Sequence, residues 1–280
     1  MHGDRTLAFA VRLVVKAVVP VIVAYVLITF LIDPAHIDVS ELRANSLLMH
    51  ERPLFRDAPG DELRGALGAS ALLLVAAMAW AMSLGIGAGV VYGWSGNRPL
   101  KAVVWSVATV AASLPAFFWA VAVELGMIFL WLRFGFRLFP MAGYGFDDHL
   151  VLPALALGLR PAAYIFRLTA IAVEDVRHAD YVRTAVAKGL GARLLLRRHV
   201  LPNVAPNIIA ATVLATRGAL SSLVLIEYVY IWGGAGLTFV QALGNGRLEL
   251  AAALALSFAI GSALLTVAAQ AAQSLVRVGA

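Results

Sequence analysis

The sequence predicts an all-α membrane protein with about six transmembrane helices. Of its 280 residues, 61% are hydrophobic and only 14% charged, and the mean hydropathy is +0.86, far more apolar than a water-soluble domain of this length. Apolar runs long enough to cross a hydrocarbon layer of about 30 Å recur along the chain. Between them, Lys and Arg gather in alternate loops.

The first run, 13–32, follows Arg5, Arg12 and Lys16 and fits a spanning helix with its N-terminus inside. A signal peptide would have a shorter core followed by a small-residue cleavage site. The outer segment 33–62 holds Asp38 and, three residues later, Glu41, a capping-box-like start to a short helix with Leu42, Leu47 and Leu48 for packing. It reads equally as a lip beside a pore and as a linker. The second span, 65–92, leads into Gly93, and Gly85, Gly89 and Gly93 recur every fourth residue, a face built for close helix packing. The third, 102–131, has Pro115 near its middle and no polar turn, which predicts one long tilted helix kinked there. Spans near 150–173, 203–227 and 249–276 complete the set.

Six crossings place Arg5, Arg12, Lys16, Arg98, Lys101, the run from Arg167 to Arg198, and Arg277 on one side, so both termini are expected in the cytoplasm. The arginines of the opposite side, Arg64 and Arg247 among them, are balanced by acids such as Glu62 and Glu249. The net charge of +6 is therefore topological, and no nucleic-acid partner is expected.

Several chemistries are excluded. With no cysteine, the chain has neither thiolate catalysis nor a cysteine metal site. It has no phosphate loop ending in Gly-Lys-Ser/Thr and no His-Glu-x-x-His motif. An intramembrane serine protease using Ser70 needs a histidine within reach, but His2, His36, His50, His149, His178 and His199 all fall in loops or at helix ends. A stand-alone secondary transporter should show internal repeats, and none is evident.

The most informative stretch is the basic loop 174–202. Asp180 is a plausible N-cap, Tyr181 to Lys188 make about two helical turns carrying Arg183, and Gly189 is placed to end them. Ala185 and Gly189, four apart, share a face almost bare of side chains, suited to a groove in another protein. Leu201 and Pro202 mark the turn into the fifth span, where proline is tolerated at a helix start.

The stretches YVRTAVAKGL and RRHVLPN resemble the EAA-type motif of permease subunits in binding-protein-dependent ABC importers, specifically the first, B-type subunit of the dipeptide/oligopeptide/nickel branch. LIDPAH, SLPAFFWA and LIEYVYIWGGAGL match further signatures in order, so the resemblance covers nearly the whole chain. Three departures stand out: a shortened outer segment, Gly234 where proline is typical, and His199 at an aliphatic position. The resemblance implies a type I importer permease fold in a bacterial inner membrane. Asp180, Tyr181, Arg183, Ala185, Lys188, Gly189, Leu201 and Pro202 would then form the coupling loop.

The implied partners are a second homologous permease, two cytoplasmic ATPases, an extracellular solute-binding protein and the bilayer. ATP and Mg would sit on the ATPases, and this chain would carry no cofactor and no catalytic residue. The default cargo is a di- or oligopeptide; a nickel chelate or another small solute stays open.

Four charged residues fall within or near predicted spans: Glu124, Arg160, Arg217 and Glu227. Ionised groups there are costly unless they face a wet cavity or a partner, so they are candidates for a translocation path. Arg160 and Arg217 can serve a cargo carboxylate or pair structurally with Glu227 or a partner's acid. For Glu227, gating and helix capping are both open.

Overall fold

A computed structural model describes residues 59–95, 98–135, 139–145 and 147–278. The predicted first span and nearly all of the outer segment lie outside the described residues. The described elements are α1 (Pro59–Trp94), α2 (Arg98–Ser113), α3 (Ala116–Phe134), a 3-10 turn (Asp148–Leu150), α4 (Val151–Arg177), α5 (Asp180–Ala187), α6 (Ala192–Leu195), a π-helical turn (Leu196–Val200), α7 (Leu201–Val229), α8 (Ala235–Gly244) and α9 (Leu248–Val278). No strand occurs among the described residues. Five stretches are long and apolar enough to span: Gly60–Trp94, Ala116–Phe134, Asp148–Arg177, Ala192–Val229 and Leu248–Ala268.

The core is the seam between α1 and α4, the most extensive helix pair. Gly85, Gly89 and Gly93 are its zip, as the glycine spacing predicts. A Cβ on each would come within 2.7, 2.9 and 2.9 Å of the carbonyl oxygens of Ala162, Phe166 and Ala170. The glycines let the two backbones touch where no side chain fits. Further along, Trp80 donates its indole N–H to the Ala154 oxygen at 2.9 Å and lies over Gly158. Residue numbers rise together on both helices, so α1 and α4 run parallel. The chain between them must cross back an odd number of times, and α2 and α3 together supply that return.

That return is not one kinked helix. The helix ends at Ser113, and Pro115 adopts φ −63° and ψ 155°, an extended conformation from which α3 starts afresh. Proline has no N–H for the Ala111 carbonyl, and its ring disfavours a helical residue before it. Trp119 repairs the first defect, donating its indole N–H to the Ala111 oxygen at 3.1 Å.

At the other end of the sequence, α7 and α8 are separated by a buried turn. Tyr230, Trp232 and Gly234 are enclosed, and Ile231 takes a positive φ of 51°. Tyr230 donates its hydroxyl to the Ala120 oxygen and Trp232 its indole N–H to the Ala69 oxygen, both at 3.1 Å. Beyond the turn, α8 packs among α1, α7 and α9 through Ala235, Ala242, Ala66, Leu250 and Leu254. Arg247, between α8 and α9, closes that end with a two-pronged bond to Glu62 at 2.9 and 2.6 Å.

Candidate functional site

At the basic end of the bundle, Arg177 in the last turn of α4 donates to the carbonyls of Trp94 and Ser95 at 2.9 and 3.2 Å. It thereby caps the C-terminus of α1, where a cation is favoured. Lys101 pairs with Glu174 at 3.0 Å and lies 4.8 Å from the Tyr92 ring centre, tying α2 to the same corner. On this base sits α5. Its inward stripe, Val182 and Ala185, is buried with Leu195 against Trp94, Val176, Ala179 and Leu190. Its other face presents Tyr181, Arg183, Val186 and Lys188 outward.

Three local expectations are corrected. Asp180 is not the N-cap: Ala179 is the extended residue before the helix, and Asp180 occupies the first turn, its carboxylate 4.0 Å from Arg183. Ala185 and Gly189 do not share an open face, because Ala185 packs inward and Gly189 lies past the helix end. There Gly189 has a φ of 80°, while Leu190 N–H reaches the Ala185 oxygen at 3.2 Å and Gly189 N–H the Val186 oxygen at 2.9 Å, a left-handed stop. Leu201 and Pro202 do open α7, with the proline in its first turn as expected, but no turn between helices precedes them. The chain passes helically from α6 through Leu196–Val200 into α7, and the wider π-helical turn takes up the proline. Leu201 is half-buried against Val173, Val200 and Val204, and Pro202 is exposed.

Of the four charges within spans, two meet in one place. Arg160 of α4 and Arg217 of α7 line a cavity of about 550 Å³ with Tyr164, Ser221, Ser222 and Ser262. Arg160 Nε donates to the Ala112 oxygen at 3.3 Å, a carbonyl freed by the break between α2 and α3. Arg217 has no hydrogen bond or ion pair with a described residue.

Glu227 is elsewhere and fully enclosed. It accepts from Ser70 Oγ, from Gly236 N–H at 2.6 Å and from Leu237 N–H at 3.2 Å, while Ala235 N–H donates to Ser70 Oγ at 2.8 Å. Two side chains thus satisfy the first N–H groups of α8, where a carboxylate is favoured by the helix dipole. Glu227 therefore caps a helix, one of its two open readings, and it makes no ion pair with Arg160 or Arg217. Glu124 is half-buried on α3. Away from the spans, Asp147 accepts from His149, and those hydrogen bonds hold its carboxyl below the usual carboxylate range.

The family model for the inner membrane component of binding-protein-dependent transport systems matches residues 81–277. The chain belongs to this family. The dipeptide transport system permease protein DppB of Alkalihalophilus pseudofirmus is 30% identical over 206 residues, covering 65% of this chain and 62% of that protein. The glutathione transport system permease protein GsiC of Escherichia coli K12 is 29% identical over 184 residues, with coverage of 65% and 58%. The chain spans about three-fifths of the length of these curated relatives.

Within this inner-membrane component, the sequence reading missed three polar groups that shape the site. Ser70 was considered only as a nucleophile, yet its hydroxyl bridges Glu227 and the α8 backbone, with no histidine among its partners. Arg177 was one basic residue in a run. Trp119 gave no signal beyond its place after Pro115, although a proline-orphaned carbonyl always calls for a donor.

Proposed function

We propose that the chain is one membrane-spanning half of an ATP-driven importer for di- or oligopeptides, delivered by an extracellular binding protein. The observation that carries this reading is α5. A helix of two turns has its inner stripe fixed to the end of the α1/α4 seam and its outer stripe left for a partner, which suits transmission of a push between subunits. The partners are two cytoplasmic ATPases, which bind the ATP and Mg, and a second permease that completes the path. The basic loop then faces the cytoplasm, together with both termini. Relatives named for dipeptide and glutathione transport support a peptide cargo.

The test is reconstitution of this chain in proteoliposomes with the second permease, the ATPases and the binding protein. ATP-dependent uptake of a dipeptide that needs every component is the expected result. Uptake by this chain alone without ATP would identify a secondary transporter instead, and ATP-driven uptake of a nickel chelate but of no peptide would reassign the cargo.

A further inference from the structure

Two guanidinium groups face one cavity in the spanning part of the bundle, and none of the described residues lining it is acidic. Arg160 lies nine residues into α4 and Arg217 twelve residues before the end of α7, about 14 and about 18 Å from the ends of those helices opposite the basic loop. Arginine does not discharge at any ordinary pH, so at this depth each requires water or an anion. The obvious internal anion is spent, since Glu227 is enclosed by Ser70, Gly236 and Leu237.

The posture of Arg160 has a cause in the sequence. Because Pro115 stops the helix, the Ala112 carbonyl lacks a helical donor, and Arg160 supplies one through Nε. That bond fixes the side chain and leaves its terminal N–H fork without a partner among the described residues. On the facing helix, Ala215, Gly218 and Ala219 keep the wall shallow around Arg217. Ser221 and Ser222 give their hydroxyl protons to the Gly218 carbonyl at 2.8 and 3.0 Å, so the charged donors offered to a ligand are the two arginines, with the Tyr164 and Ser262 hydroxyls beside them. Arg217, Ser221 and Ser262 also border a neighbouring hollow of about 390 Å³ that runs to Phe239 on α8 and Phe258 on α9.

We propose that Arg160 and Arg217 form a carboxylate subsite in the translocation path, taking an anionic group of the cargo as it passes between α4 and α7. Guanidinium forks match carboxylates in shape and charge, and an open cavity lets the ion leave again. The proposal rests on the importer reading. It goes further by assigning the site and the cargo group that the site recognises.

The test compares trialanine, trialanine amide, and an amidated tripeptide bearing one aspartate, in the reconstituted complex and in its Arg160→Gln and Arg217→Gln variants. Because the binding protein is identical throughout, its own preference cancels when complexes are compared. The free-acid-to-amide uptake ratio should fall at least tenfold in each variant. A parallel fall for the aspartate peptide assigns the subsite to carboxylates generally; a fall for trialanine alone assigns it to the chain terminus. An unchanged ratio would overturn the proposal, as would loss of the permease pair on size exclusion, which would mark the arginines as partners of an acid on the second subunit. A transport-independent measurement separates this from failure of the importer reading: millimolar trialanine, but not its amide, should raise the Tm of the purified complex, and the Arg160→Gln/Arg217→Gln double variant should lose that shift. No shift in the unaltered complex overturns the subsite.

Discussion

Glu227 is a buried acid held entirely by polar partners. Its carboxylate answers two backbone N–H groups of α8 and the Ser70 hydroxyl in an enclosed space. Each buried donor left unpaired costs about 1–3 kcal/mol. Glu227→Ala is therefore expected to lower the Tm of the detergent-purified protein by more than Ser70→Ala, which leaves the Gly236 and Leu237 bonds in place. Equal losses would mean that the serine, not the carboxylate, organises the turn. Gly234 and Gly236 belong to the same unit. A Cβ on Gly234 would meet the Glu227 carboxylate, whereas one on Gly236 would meet the Val224 Cα at 2.5 Å. Gly236→Ala should therefore be the more damaging, since a backbone yields less than a side chain, and thermal unfolding of the two variants reads the order. Glu227 was legible in the sequence as an acid near the end of a span. Its partner was not, because Ser70 lies 157 residues away and nothing local marks the pairing.

At the scale of elements, periodicity served well where a helix has one apolar neighbour and poorly where a face must be chosen. The every-fourth glycines announced close packing, and the α1/α4 seam supplies it. Gly89→Leu should drive the helices apart, because its Cβ alone meets Thr169 Cβ at 2.7 Å and the Phe166 oxygen at 2.9 Å. Gly87→Leu, two positions away in open space, is the matched control. Aggregation of the first variant and a normal size-exclusion profile for the second is the expected pair of results. By contrast, the 3.6-residue period of α5 showed which residues share a face but not which face is inward. Val182 and Ala185 turn in because Trp94 and Leu195 offer them apolar surface brought from distant parts of the chain. At Pro115 the apolar run looked continuous; hydropathy is blind to a missing N–H. Trp119→Phe keeps the ring and removes the donor to Ala111, and should cost about 0.5–1.5 kcal/mol, read by thermal unfolding.

For the whole molecule, the decisive relation is that between the α1/α4 seam and the short helix at its end. The spans, their parallel or antiparallel sense and the basic loop together leave α5 rooted in the bundle on one side and bare on the other. Substitution on the two sides should therefore separate folding from coupling. Val182 is 2% exposed, and Val182→Asp places an unpaired carboxylate against Trp94 and Leu195, so the protein itself should be destabilised and recovered in low yield. Val186 is 56% exposed and touches solvent on the opposite stripe. Val186→Asp should leave Tm and yield near those of the unaltered chain, while co-purification with the ATPase subunits falls at least tenfold and ATP-driven uptake falls with it. The outer stripe also carries Arg183 and Lys188, so association should weaken as salt is raised, provided the partner's groove is acidic. If Val186→Asp and Tyr181→Ala both bind the ATPases normally and transport normally, α5 is a brace for the end of the bundle and not the coupling element.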